Sequence, residues 1–173
     1  MLDYRQLAVA CHFGSASRAD LESFIQSTVE GGNEYDDRLF EAQANDLGVA
    51  RAKMLEFIAV SFPDFQITTD EGIRSCRVEL KRQIGRLLDQ QITPFSFCRF
   101  FNSMEDELVI NSNLSPDEVA FLGDLYNACD WCDPTWTLEN SPYLAEESAR
   151  VASEIALTRR RSQPLIPGES KAI

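Results

Sequence analysis

The sequence predicts an all-α protein, a helical bundle in which two similar helical units could pack together. Apolar side chains recur every three or four residues through most of the chain, which is the period of one face of a helix. Proline follows serine or threonine in Thr93-Pro94, Ser115-Pro116 and Ser141-Pro142, a pair typical of a helix N-cap and the first helical residue. No segment alternates apolar and polar residues as a β-strand would.

The chain begins with residues 2–13, which predict a short helix or an irregular lead-in. Ser17 can cap the next helix, and Gly31-Gly32 ends it near Glu30. The start signal, the apolar face and the stop signal all agree on this second helix.

A long helical pattern follows over residues 34–61, and Gly48 marks either a kink or a join between two helices. Its apolar positions keep spacings of three and four: Phe40, Ala44, Leu47, Ala50, Met54 and Phe57. Thr68 and Glu71 then have the spacing of a capping box. They predict a helix that runs to about Gln90.

The stretch from Thr93 to Asp133 predicts two helices joined by a short polar turn. Ser115 and Glu118 form a second capping-box signature at the start of the second of these helices. The predicted buried faces are Phe97, Phe101, Met104 and Leu108 on the first, and Leu122, Leu125, Cys129 and Cys132 on the second. A last helix begins at Ser141-Pro142.

Three segments are predicted: an N-terminal helical unit (1–91), a C-terminal acidic helical unit (92–158) and a flexible tail (159–173). The two units show some similarity at an offset of 76 residues. The matched positions are Ser17, Leu21, Phe24 and Ile25 with Thr93, Phe97, Phe100 and Phe101, and Glu71 and Arg74 with Glu147 and Arg150. A true duplication and chance similarity between amphipathic helices both explain this match.

The net charge of −12 is unevenly distributed. Residues 1–91 carry 15 acidic and 10 basic residues, whereas residues 92–158 carry 12 acidic and only 2 basic residues. A strongly negative surface repels nucleic acid and anionic membranes and attracts basic partners. The alternative explanation is that the acidity only keeps the protein soluble.

Location and redox state follow from what the sequence lacks. No apolar run approaches the ~18 residues that span a bilayer, and the start of the chain does not read as a signal peptide. We therefore expect a cytoplasmic protein without a membrane partner. The five cysteines fit a reducing compartment, where they act mainly as small buried side chains.

Catalytic and metal chemistry find little support in the sequence. Cys129 and Cys132 form the only Cys-x-x-Cys pair, but structural zinc needs about four ligands and the pair falls on an apolar face. His12 is the single histidine, which leaves little room for a catalytic triad. We therefore expect neither an enzyme nor a cofactor. A metal or thiol protein centred on the two cysteines remains the third hypothesis.

The C-terminal unit resembles the small helical immunity proteins of the colicin D type over about residues 88–158. The resemblance is carried by Ile92-Thr93-Pro94, Phe97, Phe101, Leu114-Ser115-Pro116, Leu122, Leu125, Ala128, Asp133-Pro134, Glu147 and Arg150. It implies a bacterial cytoplasmic bundle that binds the transfer-RNA-cleaving nuclease domain of a toxin and covers its active site with acidic residues.

The resulting hypothesis is an immunity protein that neutralises a basic toxin nuclease domain. Its predicted partner-binding residues would mimic phosphate charge, and they are Glu105, Asp106, Glu107, Asp117, Asp124, Asp130 and Asp133. The alternative is a helical adaptor or regulatory module that docks a partner through an apolar groove. Salt would weaken the first interaction and hardly affect the second.

Overall fold

The protein is all-α, as predicted. The computed structural model describes residues 1–32, 36–111 and 114–155, with the backbone alone at 109–111. Within these ranges the chain forms eight helices and no strand. They are α1 (Tyr4–His12), α2 (Arg18–Glu30), α3 (Asp37–Ala44), α4 (Leu47–Ser61), α5 (Asp70–Leu88), α6 (Pro94–Asn111), α7 (Pro116–Cys129) and α8 (Pro142–Glu154).

The C-terminal end of the chain is not described by the structure. The predicted tail, residues 159–173, lies outside the described residues, as do residues 156–158 of the predicted C-terminal unit. None of the helices in the described ranges combines the length with the apolar character that a membrane span requires.

The predicted starts of α2, α6, α7 and α8 are confirmed, although Ser141 does not form the side-chain capping hydrogen bond expected at the start of α8. Ser17 caps α2, and Ser115 with Glu118 forms the predicted capping box of α7. Thr93 Oγ1 accepts a hydrogen bond from the Ser96 backbone N–H at 3.2 Å, so it caps α6. These signals act within a single turn, which is why the sequence alone reveals them.

The predicted continuous face over residues 34–61 is wrong in its first part. The join between α3 and α4 lies at residues 45–46, before Gly48, and the Asp46 side chain caps α4. This break changes the phase of the preceding helix, so Phe40 is 58% exposed and Ala44 is also exposed. Ala50, Met54 and Phe57 of the predicted face are buried in α4.

The start of α5 is one residue later than predicted. Thr69, rather than Thr68, is the N-cap, and its Oγ1 accepts a hydrogen bond from the Gly72 N–H at 3.2 Å. The same hydroxyl donates to the Gln66 carbonyl at 2.7 Å, which holds the preceding turn. Glu71 pairs with Arg5 of α1 instead of completing a capping box.

Two hydrophobic clusters form the core. One is built from α1 to α4, and the other from α5 to α8. Helix α1 contributes to both, because Leu7 and Ala10 lie in the first cluster while Val9 and the following Phe13 lie in the second. Helix α5 belongs to the predicted N-terminal unit, yet its buried side chains lie in the second cluster. The division at residue 91 stays a prediction.

The two sets of four helices share an order of packing. In each set the first helix packs against the second and the fourth, and the third packs against the fourth; α1 and α5 pack against each other. The turns that end these two helices also match at the offset of 76. The Ser15 N–H donates to the Ala10 carbonyl, and the Gln91 N–H donates to the Arg86 carbonyl, both at 2.8 Å.

At the offset of 76, α2 corresponds to α6. This agrees with the part of the sequence match that pairs residues 17–25 with residues 93–101. Leu21 and Phe97 lie at equivalent positions and are both fully buried. The second part of the match is wrong, because Glu71 lies on α5 and Glu147 on α8. In the shared packing order, α5 is the equivalent of α1 and α8 is the equivalent of α4.

A buried polar network joins the two clusters. Glu79 of α5 is 1% exposed and accepts hydrogen bonds from the Ser15 hydroxyl at 2.5 Å and from Arg82 Nε at 2.7 Å. Arg82 also reaches Asp20 of α2 at 3.2 Å. Burial alone would raise the pKa of the Asp20 carboxyl, but hydrogen bonds from Ser17 and the charge of Arg82 outweigh it and lower that pKa. The Asp20 carboxylate is therefore stabilised in its charged form.

Candidate functional site

The predicted acidic residues lie on α6, on α7 and on the segment that follows α7. We call this part of the molecule, residues 94–111 and 114–133, the acidic hairpin; its two helices pack against each other. The first three predicted residues, Glu105, Asp106 and Glu107, lie in the second half of α6. Asp117 lies in the first turn of α7. The predicted set is thus spread over the hairpin rather than gathered in one pocket.

Three of these carboxylates face solvent without a cationic partner. Asp106, Asp117 and Asp130 are exposed. None of the three forms an ion pair or a side-chain hydrogen bond with another residue of the described ranges. Their negative charge is therefore available to a partner.

Glu105 experiences the combined effect of burial and repulsion. Partial burial, together with the nearby charge of Asp106, raises the pKa of the Glu105 carboxyl above its ordinary value. Like charges that shift a pKa in this direction disfavour the ionised form. A cation brought by a partner would relieve this repulsion.

The other three predicted residues make contacts within the protein. Asp124 Oδ2 accepts a hydrogen bond from Arg150 Nη1 at 2.9 Å. Asp133 Oδ1 accepts hydrogen bonds from the Thr135 N–H at 2.7 Å and its hydroxyl at 2.6 Å, and these bonds lower the pKa of Asp133. Glu107 lies close enough to Cys76 of α5 for its charge to affect that thiol. Their contribution to a partner site is correspondingly smaller.

Exposed aromatic side chains accompany the unpaired carboxylates. Trp131, which follows Asp130, is 82% exposed. Tyr126 and Val119 are also exposed, seven residues apart on the solvent side of α7. Tryptophan and tyrosine anchor many protein interfaces because they bury a large apolar area at a low cost in side-chain entropy. Val119, Tyr126 and Trp131 were not among the predicted partner-binding residues, although positions 119 and 126 fall outside the predicted buried face.

The Cys-x-x-Cys pair acquires a third neighbour that the sequence does not reveal. Helix α7 ends at Cys129, so Cys132 lies beyond the helix, and both thiols contact Cys98 of α6. The pKa of Cys98 is raised, mainly by its hydrogen bond with Cys129 and secondly by burial. Burial and the neighbouring Cys98 raise the pKa of Cys132 to about 12.

The raised pKa values of Cys98 and Cys132 favour the protonated thiol of these two residues. The thiolate is the form that attacks disulfides and binds metals, and a raised pKa keeps a thiol protonated at neutral pH. The described residues contain no group of three or more His, Cys, Asp or Glu side chains with the geometry of a metal site. Cys98 and Cys129 are buried, whereas Cys132, which was predicted on the buried face, is half-buried.

Comparison with known proteins gives no match: no protein-family model, no curated protein and no solved structure matches the chain. The resemblance to the colicin D-type immunity proteins therefore stays a prediction. A function for the acidic hairpin has to be inferred from the side chains that it exposes.

Proposed function

We propose that the protein is a non-catalytic immunity protein that binds a basic nuclease toxin domain through the acidic hairpin. The observation that carries the proposal is the set of carboxylates that no cation of the described residues pairs, Glu105, Asp106, Asp117 and Asp130, together with the exposed Trp131 that follows Asp130 in the chain. The described residues supply no cation that neutralises the negative charge of these four carboxylates. A partner rich in lysine and arginine would supply such cations.

The first half of the chain, by contrast, neutralises many of its acids internally. Asp20, Asp36 and Glu79 each pair with an arginine of the same half. The C-terminal unit has only two basic residues in its 92–158 range, Arg99 and Arg150. Arg150 is occupied by Asp124, Glu147 and Glu154. The composition of this unit therefore leaves carboxylates that its own two basic residues cannot pair.

A nuclease domain is a suitable partner for this surface. A nuclease binds the phosphate backbone of its substrate with lysine and arginine side chains, and carboxylate oxygens form charge-assisted hydrogen bonds with the same donors. Trp131 would add a contact by stacking on an arginine or an apolar side chain. Acidic residues bound to the lysine and arginine side chains that otherwise hold phosphate would exclude the nucleic acid from the nuclease and stop cleavage.

The test is the capture of partners from the native host on immobilised protein, followed by elution at rising salt and identification by mass spectrometry. We expect a basic nuclease domain that leaves at high salt and whose cleavage of RNA is suppressed by the added protein. The triple variant Asp106→Lys, Asp117→Lys, Asp130→Lys should lose at least ~100-fold in affinity, because close charge pairs across interfaces contribute ~1.5–7 kcal/mol each.

The control variant is Glu22→Lys, Asp64→Lys, Asp89→Lys, which makes the same change in net charge at three exposed acids outside the hairpin. It should keep the wild-type affinity. Trp131→Ala should weaken binding about 10-fold or more, whereas Tyr143→Ala, an exposed aromatic outside the hairpin, should not. Equal affinity of the two triple variants would refute the proposal.

A helical adaptor is the second candidate, and the exposed apolar side chains of α7 and of the segment after it favour this function. Val119, Tyr126 and Trp131 could contact a partner without help from the carboxylates. Apolar contacts respond little to salt. A neutral partner that stays bound at high salt and is lost with Trp131→Ala would favour this function over the immunity role.

A further inference from the structure

A cavity of about 490 Å³ lies between the end of α1, α4 and the first part of α6, on the N-terminal side of the acidic residues of that helix. Three side chains that can carry positive charge line it: His12, Arg51 and Arg99. Phe95 and Phe100 supply apolar walls, and no carboxylate stands among its described lining residues. In a protein with a net charge of −12, a cavity of this composition is unexpected.

Arg51 is the best-defined donor in this cavity. Its Nε and Nη2 donate to the Ala16 carbonyl at 2.9 and 2.5 Å, which orients the guanidinium group. A Cβ atom added at Gly14 would lie 3.7 Å from Nη1, so this nitrogen is next to the cavity wall formed by Gly14. The described residues place no carboxylate on Arg51, and burial lowers the pKa of its guanidinium. A partly buried cation without a counter-ion is costly, so a bound anion would stabilise it.

Arg99 of α6 lines the same cavity. It is the only basic residue between Thr93 and Asp133, yet it forms no ion pair with the acids of its own hairpin in the described ranges. Its guanidinium carbon lies 5.9 Å from the centre of the Phe95 ring. Two arginines on one cavity repel each other when it is empty and favour an anion between them.

We propose that this cavity binds a small organic oxyanion, a carboxylate or a phosphate ester, through Arg51 and Arg99. The planar guanidinium groups match the geometry of both kinds of head group. The apolar part of the ligand would lie against Phe95 and Phe100. The volume falls within the range of about 300–1,000 Å³ that is usual for small-molecule sites.

The test is titration of the full-length protein with phenyl phosphate, benzoate and neutral benzyl alcohol at constant ionic strength, followed by calorimetry and by the NMR signals of Arg51 Nε and Arg99 Nε. We expect saturable binding of at least one of the two anions, with shifts at both arginine signals and no comparable binding of benzyl alcohol. The preferred anion identifies the head group.

Variants keep the proposal falsifiable. Arg99→Gln should weaken anion binding about 10-fold or more, because a charge-assisted pair of hydrogen bonds is lost at an exposed site that the fold does not need. Arg86→Gln, which removes the same charge from an arginine outside the cavity, should bind like the wild type. Absence of saturable binding by both anions, equal binding of benzyl alcohol, or wild-type affinity in Arg99→Gln would overturn the proposal.

Discussion

Glu105 illustrates, at the scale of a single residue, how a carboxylate without a cationic partner among the described residues lowers stability. Burial and the charge of Asp106 raise the pKa of its carboxyl in the folded protein. A raised pKa means that the folded state holds the proton more tightly than the unfolded state. The associated stability is present at acidic pH and is lost as the pH rises through the folded-state pKa. At neutral pH the charged Glu105 therefore destabilises the fold.

Glu105→Gln should accordingly stabilise the protein at pH 7 by about 0.5 kcal/mol, which corresponds to a rise in Tm of roughly 1–2 °C. The gain should disappear towards acidic pH, where the wild-type carboxyl is protonated in both states. Thermal unfolding followed by circular dichroism between pH 4 and pH 8 measures it. Glu22→Gln, on the exposed side of α2, is the control for the loss of one carboxylate charge. A Tm difference that stays constant with pH would contradict the assignment.

At the scale of an element, α5 contains two glycines with different surroundings. A Cβ at Gly72 would lie 2.2 Å from the Ile67 carbonyl oxygen and 2.3 Å from that of Gln66, because the preceding turn folds back on the start of the helix. A Cβ at Gly85 would meet no atom within 4 Å. Gly72 is therefore required by a close backbone approach, whereas Gly85 only weakens the helix.

Gly85→Ala should raise the free energy of unfolding by about 0.5–1 kcal/mol, since alanine restricts the unfolded chain and favours the helix. Gly72→Ala, the matched change in the same helix, should lower it by about 1–3 kcal/mol because backbone atoms have to move. Urea denaturation followed by circular dichroism compares the two. Equal stability of the two variants would show that the turn before α5 is not packed as described.

At the scale of the whole molecule, α1 and the Glu79 network connect the two hydrophobic clusters. Val9 and Leu7 of one short helix enter different clusters. Glu79 and Arg82 of α5 reach Ser15 and Asp20, which belong to the first set of helices. If the two sets of helices separated, the apolar side chains of α1 and the polar side chains around Glu79 would become exposed to water.

We therefore expect the two sets of helices to unfold in one transition. Trp131 and Trp136 both lie in the second half, so tryptophan fluorescence reports on that half while far-ultraviolet circular dichroism reports on all helices. The two urea midpoints should coincide. Arg82→Gln should lower the free energy of unfolding by about 3 kcal/mol and shift both midpoints equally to lower urea, because it leaves the buried Glu79 without its cation. Separate midpoints would mean that the two sets of helices, α1–α4 and α5–α8, unfold independently.

The sequence by itself determined the helices and the charge asymmetry. The caps at Ser17, Thr93 and Ser115 and the buried residues Phe97 and Leu122 were predicted correctly. These signals depend on neighbours within one or two turns, and the helical period alone determines which side chains share a face. The surplus of acids over bases in the C-terminal unit is a property of composition and needs no fold.

Only the tertiary structure decided which charged groups are paired and which remain available. It brought Arg150 to Asp124, Cys98 to Cys129, and Arg51 to the cavity that Arg99 also lines. It also exposed Phe40, which the helical period had placed inside. Each of these outcomes depends on how helices pack after a turn whose geometry the local sequence does not specify. The contacts form between residues far apart in the chain, and no short-range signal encodes them.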